Sequence, residues 1–252
     1  MNFSTIYDFI ILPWIGLGIF AFLILFFITA PYGRHNKKMG PMMSGKWGWI
    51  LQEVISPLTF AHFFIRGDSF KTPEMWVFFF LWIAHYFNRS IVFPFRQKHA
   101  KDTAIIVVMS AISFNLINGF INGYYLGSAE LVQNQYTNYF QSYNFILGLI
   151  IFITGAYINI KSDEILFSLR KENDGYKIPQ SFLYKYISCP NYFGEIIEWA
   201  GFAIMVWNLP GLVFLLWTMF NLVPRAIAHH KWYQNKFKEY PKDRKAVIPF
   251  IL

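Results

Sequence analysis

The chain has 252 residues, of which 55% are hydrophobic and 21% aromatic while only 14% are charged, well below the roughly 25% charge of a soluble domain. That balance excludes an ordinary soluble enzyme and points to an integral membrane protein. The 22 Lys and Arg against 14 Asp and Glu leave a formal charge of +8, an excess that in a membrane chain marks cytoplasmic loops before nucleic-acid binding, and the lone Cys189 excludes an intrachain disulfide and a thiolate metal cluster.

The first apolar stretch, Phe9 to Ala30, holds no charged residue, and Asp8 rather than a basic region precedes it, so it reads as a retained span and not a signal peptide. Further apolar stretches follow at about Trp47 to Ile65, Met75 to Phe95, Thr103 to Leu126, Phe145 to Ile160, Phe193 to Leu209 and Gly211 to Val223, which makes seven. The last three are short against the roughly 20 residues a bilayer needs, which predicts that their helices run on into the flanking polar turns. No internal repeat, low-complexity tract or long linker divides the chain, so residues 1–252 are expected to form one domain.

The Lys and Arg in each connection test that number independently. Pro31 to Lys46 holds four, Arg66 to Glu74 two offset by Asp68 and Glu74, the neighbourhood of Gln97 three (Arg96, Lys98, Lys101), Gly127 to Asn144 none, Lys161 to Ser188 five, the Asn208 to Gly211 turn none and the tail seven. High and low alternate without a break. The positive-inside tendency then predicts a bundle of seven transmembrane helices, all-α, with the amino terminus outside and the carboxyl terminus cytoplasmic.

Polar residues inside such spans are candidates for chemistry, because burying them in hydrocarbon is costly. Glu53, beside Gln52, lies within the second span; a buried carboxyl has a raised pKa and can donate a hydrogen bond to a ligand oxygen, although a bond within the bundle is the structural alternative. The third span ends in His85-Tyr86-Phe87-Asn88-Arg89, and Tyr86, an interfacial aromatic if taken alone, could with Glu53 polarise and protonate a carbonyl. Asn115, Asn118 and Asn122 read as interhelical amides and are left out of the site. Asn159, Asp163 and Arg170 fall close to one stripe as the fifth span exits, Asn191, Glu195 and Glu198 share a face at i, i+4, i+7, and Arg225, His229 and Tyr233 recur every fourth residue. Three helix ends on the side assigned to the cytoplasm thus carry polar stripes suited to the phosphates, amide and hydroxyls of a dinucleotide. No Gly-x-Gly-x-x-Gly follows a strand, His229-His230 diverge too far on a helix for a zinc pair, and no hydrolase motif occurs.

These residues stand in motifs that resemble the steroid 5-alpha-reductase family: Leu51-Gln52-Glu53, His85 through Arg89, Asn159-Ile160-Lys161-Ser162-Asp163, Tyr176-Lys177-Ile178-Pro179-Gln180, Cys189 through Trp199, Arg225 through Tyr233, and Tyr240 through Leu252. The likeness runs from the second span to the last residue, while the first span with Tyr32-Gly33-Arg34-His35 fits more weakly. It implies a seven-helix membrane enzyme, in a bacterial inner membrane or the endoplasmic reticulum, that uses NADPH to reduce the double bond conjugated to the 3-keto group of a steroid. Carried over by motif, Glu53 and Tyr86, with Gln52 beside them, would bind the ketone. Asn159, Asp163, Arg170, Tyr176, Asn191, Glu195, Arg225, His229 and Tyr233 would hold the cofactor, in a half of the chain at roughly 145–252. No metal, nucleic acid or obligate protein partner is implied. Ser181-Phe182 replaces the usual Gly-Gly, Ala228 shortens a run of three histidines, and the basic residues around Gln97 are redistributed, so the residue that meets a cofactor phosphate stays open. A related enoyl-thioester or polyprenol reductase, a membrane methyltransferase with a similar helical cofactor site, and a transporter with Glu53 as a proton site are the alternatives; the absence of a repeat argues against the last.

Overall fold

A computed structural model describes residues 2–30, 33–35, 37–97, 100–172 and 176–252. Tyr32 and Lys98, named above, lie outside the described residues. The chain is helical nearly throughout: α1 (Phe3–Phe27), α2 (Gly45–Arg66), α3 (Pro73–Phe87), a π-helical turn (Asn88–Val92) leading into the short α4 (Phe93–Arg96), α5 (Ile105–Gly127), the single turn α6 (Ala129–Val132), α7 (Tyr143–Glu172), α8 (Pro190–Val206) and α9 (Leu209–Lys236). Two short strands, β1 (Met42–Met43) and β2 (Thr103–Ala104), pair antiparallel with Met42 opposite Ala104.

Among the described residues, five helices are long and apolar enough to cross a membrane: Phe3–Phe27, Pro73–Arg96, Ile105–Gly127, Tyr143–Arg170 and Leu209–Lys236. Helices also form at the other two expected spans, but they are different in character. α2 has 22 residues and carries Lys46, Gln52, Glu53 and Arg66, whereas α8 has only 17 and includes Glu195 and Glu198. Of the three helices expected to run on past their apolar stretches, α7 and α9 do, to 30 and 28 residues, whereas α8 does not at its carboxyl end, because the left-handed turn at Trp207 ends it at Val206, short of the expected Leu209.

The chain forms two compact units, one of Met1–Trp14, Ala30–Ile146 and Asn208–Pro210, the other of Ile15–Thr29, Leu147–Trp207 and Gly211–Leu252. In the first, Gly119, Gly123 and Gly127 recur every fourth residue and line one face of α5. A Cβ at Gly119 would lie 2.7 Å from the Ser56 carbonyl oxygen and one at Gly123 2.5 Å from that of Phe60. Real side chains do not come so close, so α2 and α5 touch backbone to backbone only because those positions lack a side chain. Behind the seam, Phe60 stacks on Trp82 of α3 with centroids 4.8 Å apart. α3 itself starts where Thr72 Oγ1 accepts from the Met75 amide and Pro73 fills the first turn.

In the second unit the close approach is reciprocal. Gly148 and Gly155 of α7 and Gly194 and Gly201 of α8 each face the other helix, so that a Cβ at Gly201 would lie 2.7 Å from the Gly148 carbonyl oxygen and one at Gly194 2.8 Å from that of Gly155. α8 ends at Trp207, whose left-handed conformation (φ 44°) caps the helix and turns the chain into α9. Beyond α9 the tail returns to the start of α8: the amides of Ser188 and Cys189 donate to the carbonyls of Lys245 and Ala246 at 2.8 and 3.1 Å, and the Lys245 amide donates to Tyr186 at 2.9 Å. Cys189, Ala226, Ala246 and Val247 form the small core that this return closes.

Candidate active site

In the first unit, three helices converge on one polar group. Gln52 Nε2 donates to its neighbour Glu53 Oε1 at 3.2 Å, and both side chains are half-buried on α2. Asn115 on α5 donates through Nδ2 to the Gln52 carbonyl at 2.7 Å. The same amide accepts, through Oδ1, from the hydroxyl of Tyr86 on α3 at 3.4 Å. That last bond is long for an O–H donor, and a shorter one to a ligand oxygen would be stronger. Tyr86 is only 3% exposed. The backbone opens just after it: Asn88–Val92 is π-helical, and the Ser90 hydroxyl donates to the Tyr86 carbonyl at 2.6 Å. Such a local widening is common at functional sites and has no periodic signal in the sequence.

Sequence reasoning sets Asn115 aside with Asn118 and Asn122 as bundle amides. Asn115 is one, since it bonds α2, yet it also touches Tyr86. Asn118 instead accepts from the Trp14 indole at 3.2 Å, and the amide nitrogen of Asn122 bonds its own helix at Asn118. The glycine row of α5 could have separated them, because Asn115 lies one turn before Gly119 on the face that meets α2.

In the second unit, the start of α8 meets α7 through an acid–amide ladder. Asn159 Nδ2 donates to the Asn191 carbonyl at 2.9 Å and, more weakly, to Glu195 Oε2 at 3.4 Å, while Asn191 Nδ2 donates to Asp163 Oδ1 at 3.1 Å. Each helix thus gives one amide and one acid to the other. Asn159 and Asp163 are buried, and Glu198 is buried on α8 where a Cβ at Gly155 would strike its backbone. From the same turn of α8, the Tyr192 hydroxyl lies 3.0 Å from His229 Nε2, and the Arg225 guanidinium lies over the Tyr192 ring at 5.6 Å. Tyr192 is not among the residues that sequence reasoning singles out, since an aromatic beside Asn191 carries no polar stripe of its own. Arg170, exposed, lies over Tyr176 at 5.8 Å, and Tyr176 packs edge-on against Trp232, next to buried Tyr233. Asn159, Asp163, Asn191 and Glu195 therefore form one cluster, Arg225 and His229 meet it through Tyr192, and Arg170, Tyr176 and Tyr233 line a second, more aromatic stretch. Of the basic residues flanking Gln97, Arg96 and Lys101 are exposed.

The donors in this second unit fit a reduced nicotinamide dinucleotide. Carboxylates and amide oxygens accept from a carboxamide or from ribose hydroxyls, and two arginines supply the positive charge that phosphates require. Among the described residues no group of His, Cys, Asp and Glu could hold a metal ion.

Five helices long and apolar enough to cross a membrane point to a multi-pass membrane protein. Known proteins make the class specific. The family described as 3-oxo-5-alpha-steroid 4-dehydrogenase matches residues 101–252. Over 98% of this chain and 97% of its own length, the steroid 5-alpha-reductase DET2 of Arabidopsis thaliana is 40% identical, and its counterpart in Gossypium hirsutum is 38% identical over 98% of each. The 3-oxo-5-alpha-steroid 4-dehydrogenase 1 of Rattus norvegicus is 36% identical over 89% of this chain and 87% of its own. The chain belongs to the steroid 5-alpha-reductase family and is an oxidoreductase acting on a CH–CH group.

Proposed function

We propose that the protein is an NADPH-dependent reductase of the C4–C5 double bond in 4-ene-3-keto steroids. The observation that carries this reading is the placement of Tyr86: a buried phenol held by Asn115, which is tied in turn to the Gln52 backbone beside Glu53. The relatives' names support the substrate class: one is a steroid 5-alpha-reductase, the other a 3-oxo-5-alpha-steroid 4-dehydrogenase, which name the two directions of one interconversion.

The reduced nicotinamide, when bound, supplies the hydride that adds at C5. The work of the chain lies at the other end of the enone. As C5 is reduced, negative charge moves to the ketone oxygen, and the Tyr86 hydroxyl together with a protonated Glu53 carboxyl donates to that oxygen and stabilises the enolate. Glu53 or Tyr86 passes its proton to the enolate oxygen, and as the enol returns to the ketone that proton goes back to the side chain while C4 takes one from water, so that one hydride and one proton are consumed overall. Gln52 Nε2, on Glu53 Oε1, orients the carboxyl. Asn159, Asp163, Asn191, Glu195 and His229 take the carboxamide and ribose hydroxyls, with Tyr176 and Tyr233 packing beside them. Arg225 and Arg170 take the phosphates.

In the proposed topology α2 and α8 also cross the bilayer, giving seven spans with the tail cytoplasmic, in a bacterial inner membrane or the endoplasmic reticulum. The Lys and Arg alternation supports it. A reporter fused after Leu252 should be active only on the cytoplasmic face; activity on the other face alone would remove the orientation. The activity itself is tested by NADPH consumption in detergent-solubilised protein given a 4-ene-3-keto steroid. Steroid-dependent oxidation of NADPH is expected. Consumption only with an enoyl thioester or a polyprenol, or binding of S-adenosylmethionine in place of NADPH, would overturn the assignment.

A further inference from the structure

The tail beyond α9 contributes to a buried hydrogen-bond cluster to which nothing above gives a role. Ser188, two residues before α8 begins, has three neighbours for its hydroxyl oxygen: His230 Nδ1 at 2.6 Å, the Tyr240 hydroxyl at 2.6 Å and the Lys245 carbonyl at 3.2 Å. One arrangement of protons satisfies them all. The Lys245 carbonyl can only accept. Gln234 Nε2 lies 2.8 Å from His230 Nε2, and an amide nitrogen donates, so Nε2 accepts and the neutral imidazole carries its proton on Nδ1. Nδ1–H and the Tyr240 O–H then donate to the two lone pairs of Ser188 Oγ, and Ser188 gives its own proton to Lys245. A hydroxyl has no further capacity. Burial raises the Tyr240 phenol above its ordinary pKa, which keeps it a donor.

Each arm of the cluster ends beside a residue assigned above to the cofactor. The Tyr240 ring stacks on Tyr233, with centroids 5.3 Å apart and planes at 14°. The Arg244 guanidinium also lies over the Tyr240 ring, at 5.2 Å. His230 follows His229, which contacts Tyr192 at 3.0 Å. Ser188 leads through Cys189 and Pro190 into Asn191. A single oxygen therefore ties together the entry to α8, the last turns of α9 and the tail.

We propose that Ser188, with His230 and Tyr240, is a positioning centre for the reduction: it fixes Asn191, His229 and Tyr233 relative to one another and thereby sets the affinity for NADPH without touching it. The proposal rests on the cofactor assignment above. Its physical basis is preorganisation, since side chains already held in place lose less freedom when the dinucleotide binds, and small misplacements of binding groups are costly.

The test uses the full-length protein in detergent and three substitutions. Ser188→Ala removes the shared oxygen, Tyr240→Phe removes one arm but keeps the ring stack, and Ser188→Thr keeps the hydroxyl. The readouts are the NADPH dissociation constant, the KM for NADPH, the KM for steroid, kcat and the thermal midpoint. Ser188→Ala and Tyr240→Phe should raise the NADPH dissociation constant and KM by about 5- to 30-fold while kcat and the steroid KM stay within about twofold, and Ser188→Thr should restore most of the affinity. Unchanged NADPH affinity in Ser188→Ala, or a fall in kcat at unchanged affinity, overturns the proposal. If Ser188→Ala does not fold, Tyr240→Phe decides by the same criteria. Arg225→Ala separates the two levels of argument. If it weakens NADPH binding while the Ser188 and Tyr240 variants do not, positioning alone is wrong; if it too leaves binding unchanged, the cofactor assignment fails and this proposal falls with it.

Discussion

The α2–α5 and α7–α8 contacts solve the same problem differently. Both are glycine seams between apolar helices. In the first, the glycines that meet partner-helix backbone are those of α5, Gly119, Gly123 and Gly127 at four-residue spacing, opposite the backbone of Ser56, Phe60 and Phe63; α2's own Gly48 faces the Val108 side chain, and only Gly67, just past the end of α2, meets Gly127 in return. In the second, each helix supplies two glycines at seven-residue spacing, and the seam runs on into the Asn159–Asp163 and Asn191–Glu195 ladder. A one-sided seam leaves the polar group at its end, Gln52, Glu53 and Asn115, with a tyrosine from a third helix as a further neighbour. A reciprocal seam brings two polar helix ends together so that acids and amides answer one another. In the proposed function, the first arrangement is the one that gives up bonds to a reacting substrate and the second the one that holds a large polar ligand in one place.

The difference can be broken most severely at Gly155. A leucine there would drive its Cβ into the Glu198 backbone. The gain of about 1 kcal/mol in helix propensity is outweighed by an overpacking cost of about 1–3 kcal/mol or more, since backbone cannot rotate aside. Gly155→Leu should therefore lower the thermal midpoint sharply or prevent recovery of folded protein, and a midpoint equal to wild type would refute the reciprocal seam. A smaller effect is expected from Asn115→Ala, which removes the links to both Gln52 and Tyr86: kcat should fall about three- to tenfold with NADPH binding unchanged, and an unaltered kcat would show that Asn115 is only a bundle amide. The smallest is Gly16→Ala, which has open space around its Cβ position and should leave both the midpoint and the kinetics as they are.

How much of this was legible beforehand follows from what periodicity records. The helices and the stripes at Asn159 and Asp163, at Asn191 and Glu195, and at Arg225 and His229 could be read because neighbours on a helix face recur every three or four residues. The ends of α7 and α9 could be anticipated from spans too short for a bilayer. Asn115, Asn118 and Asn122 share a helical spacing, so that spacing does not tell them apart; only the glycine row that Asn115 continues, at Gly119, Gly123 and Gly127, does. The π-helical turn after Tyr86 has no pattern of its own. The contacts of Ser188 with His230 and Lys245 join residues 42 and 57 positions apart, and nothing local in the chain announces them. The family resemblance reached the same candidate residues by motif, but it did not reveal that Tyr192 links His229 and Arg225 to α8.

The division of labour between the two seams is tested most directly by measuring NADPH affinity and steroid-dependent turnover side by side in Glu53→Gln, Tyr86→Phe and Arg225→Ala. The account predicts that each of the first two loses at least about tenfold in turnover while binding NADPH within about twofold of wild type, and that Arg225→Ala weakens NADPH binding by at least about tenfold. Full turnover in the Glu53→Gln/Tyr86→Phe double variant, or an unchanged NADPH dissociation constant in Arg225→Ala, would contradict it.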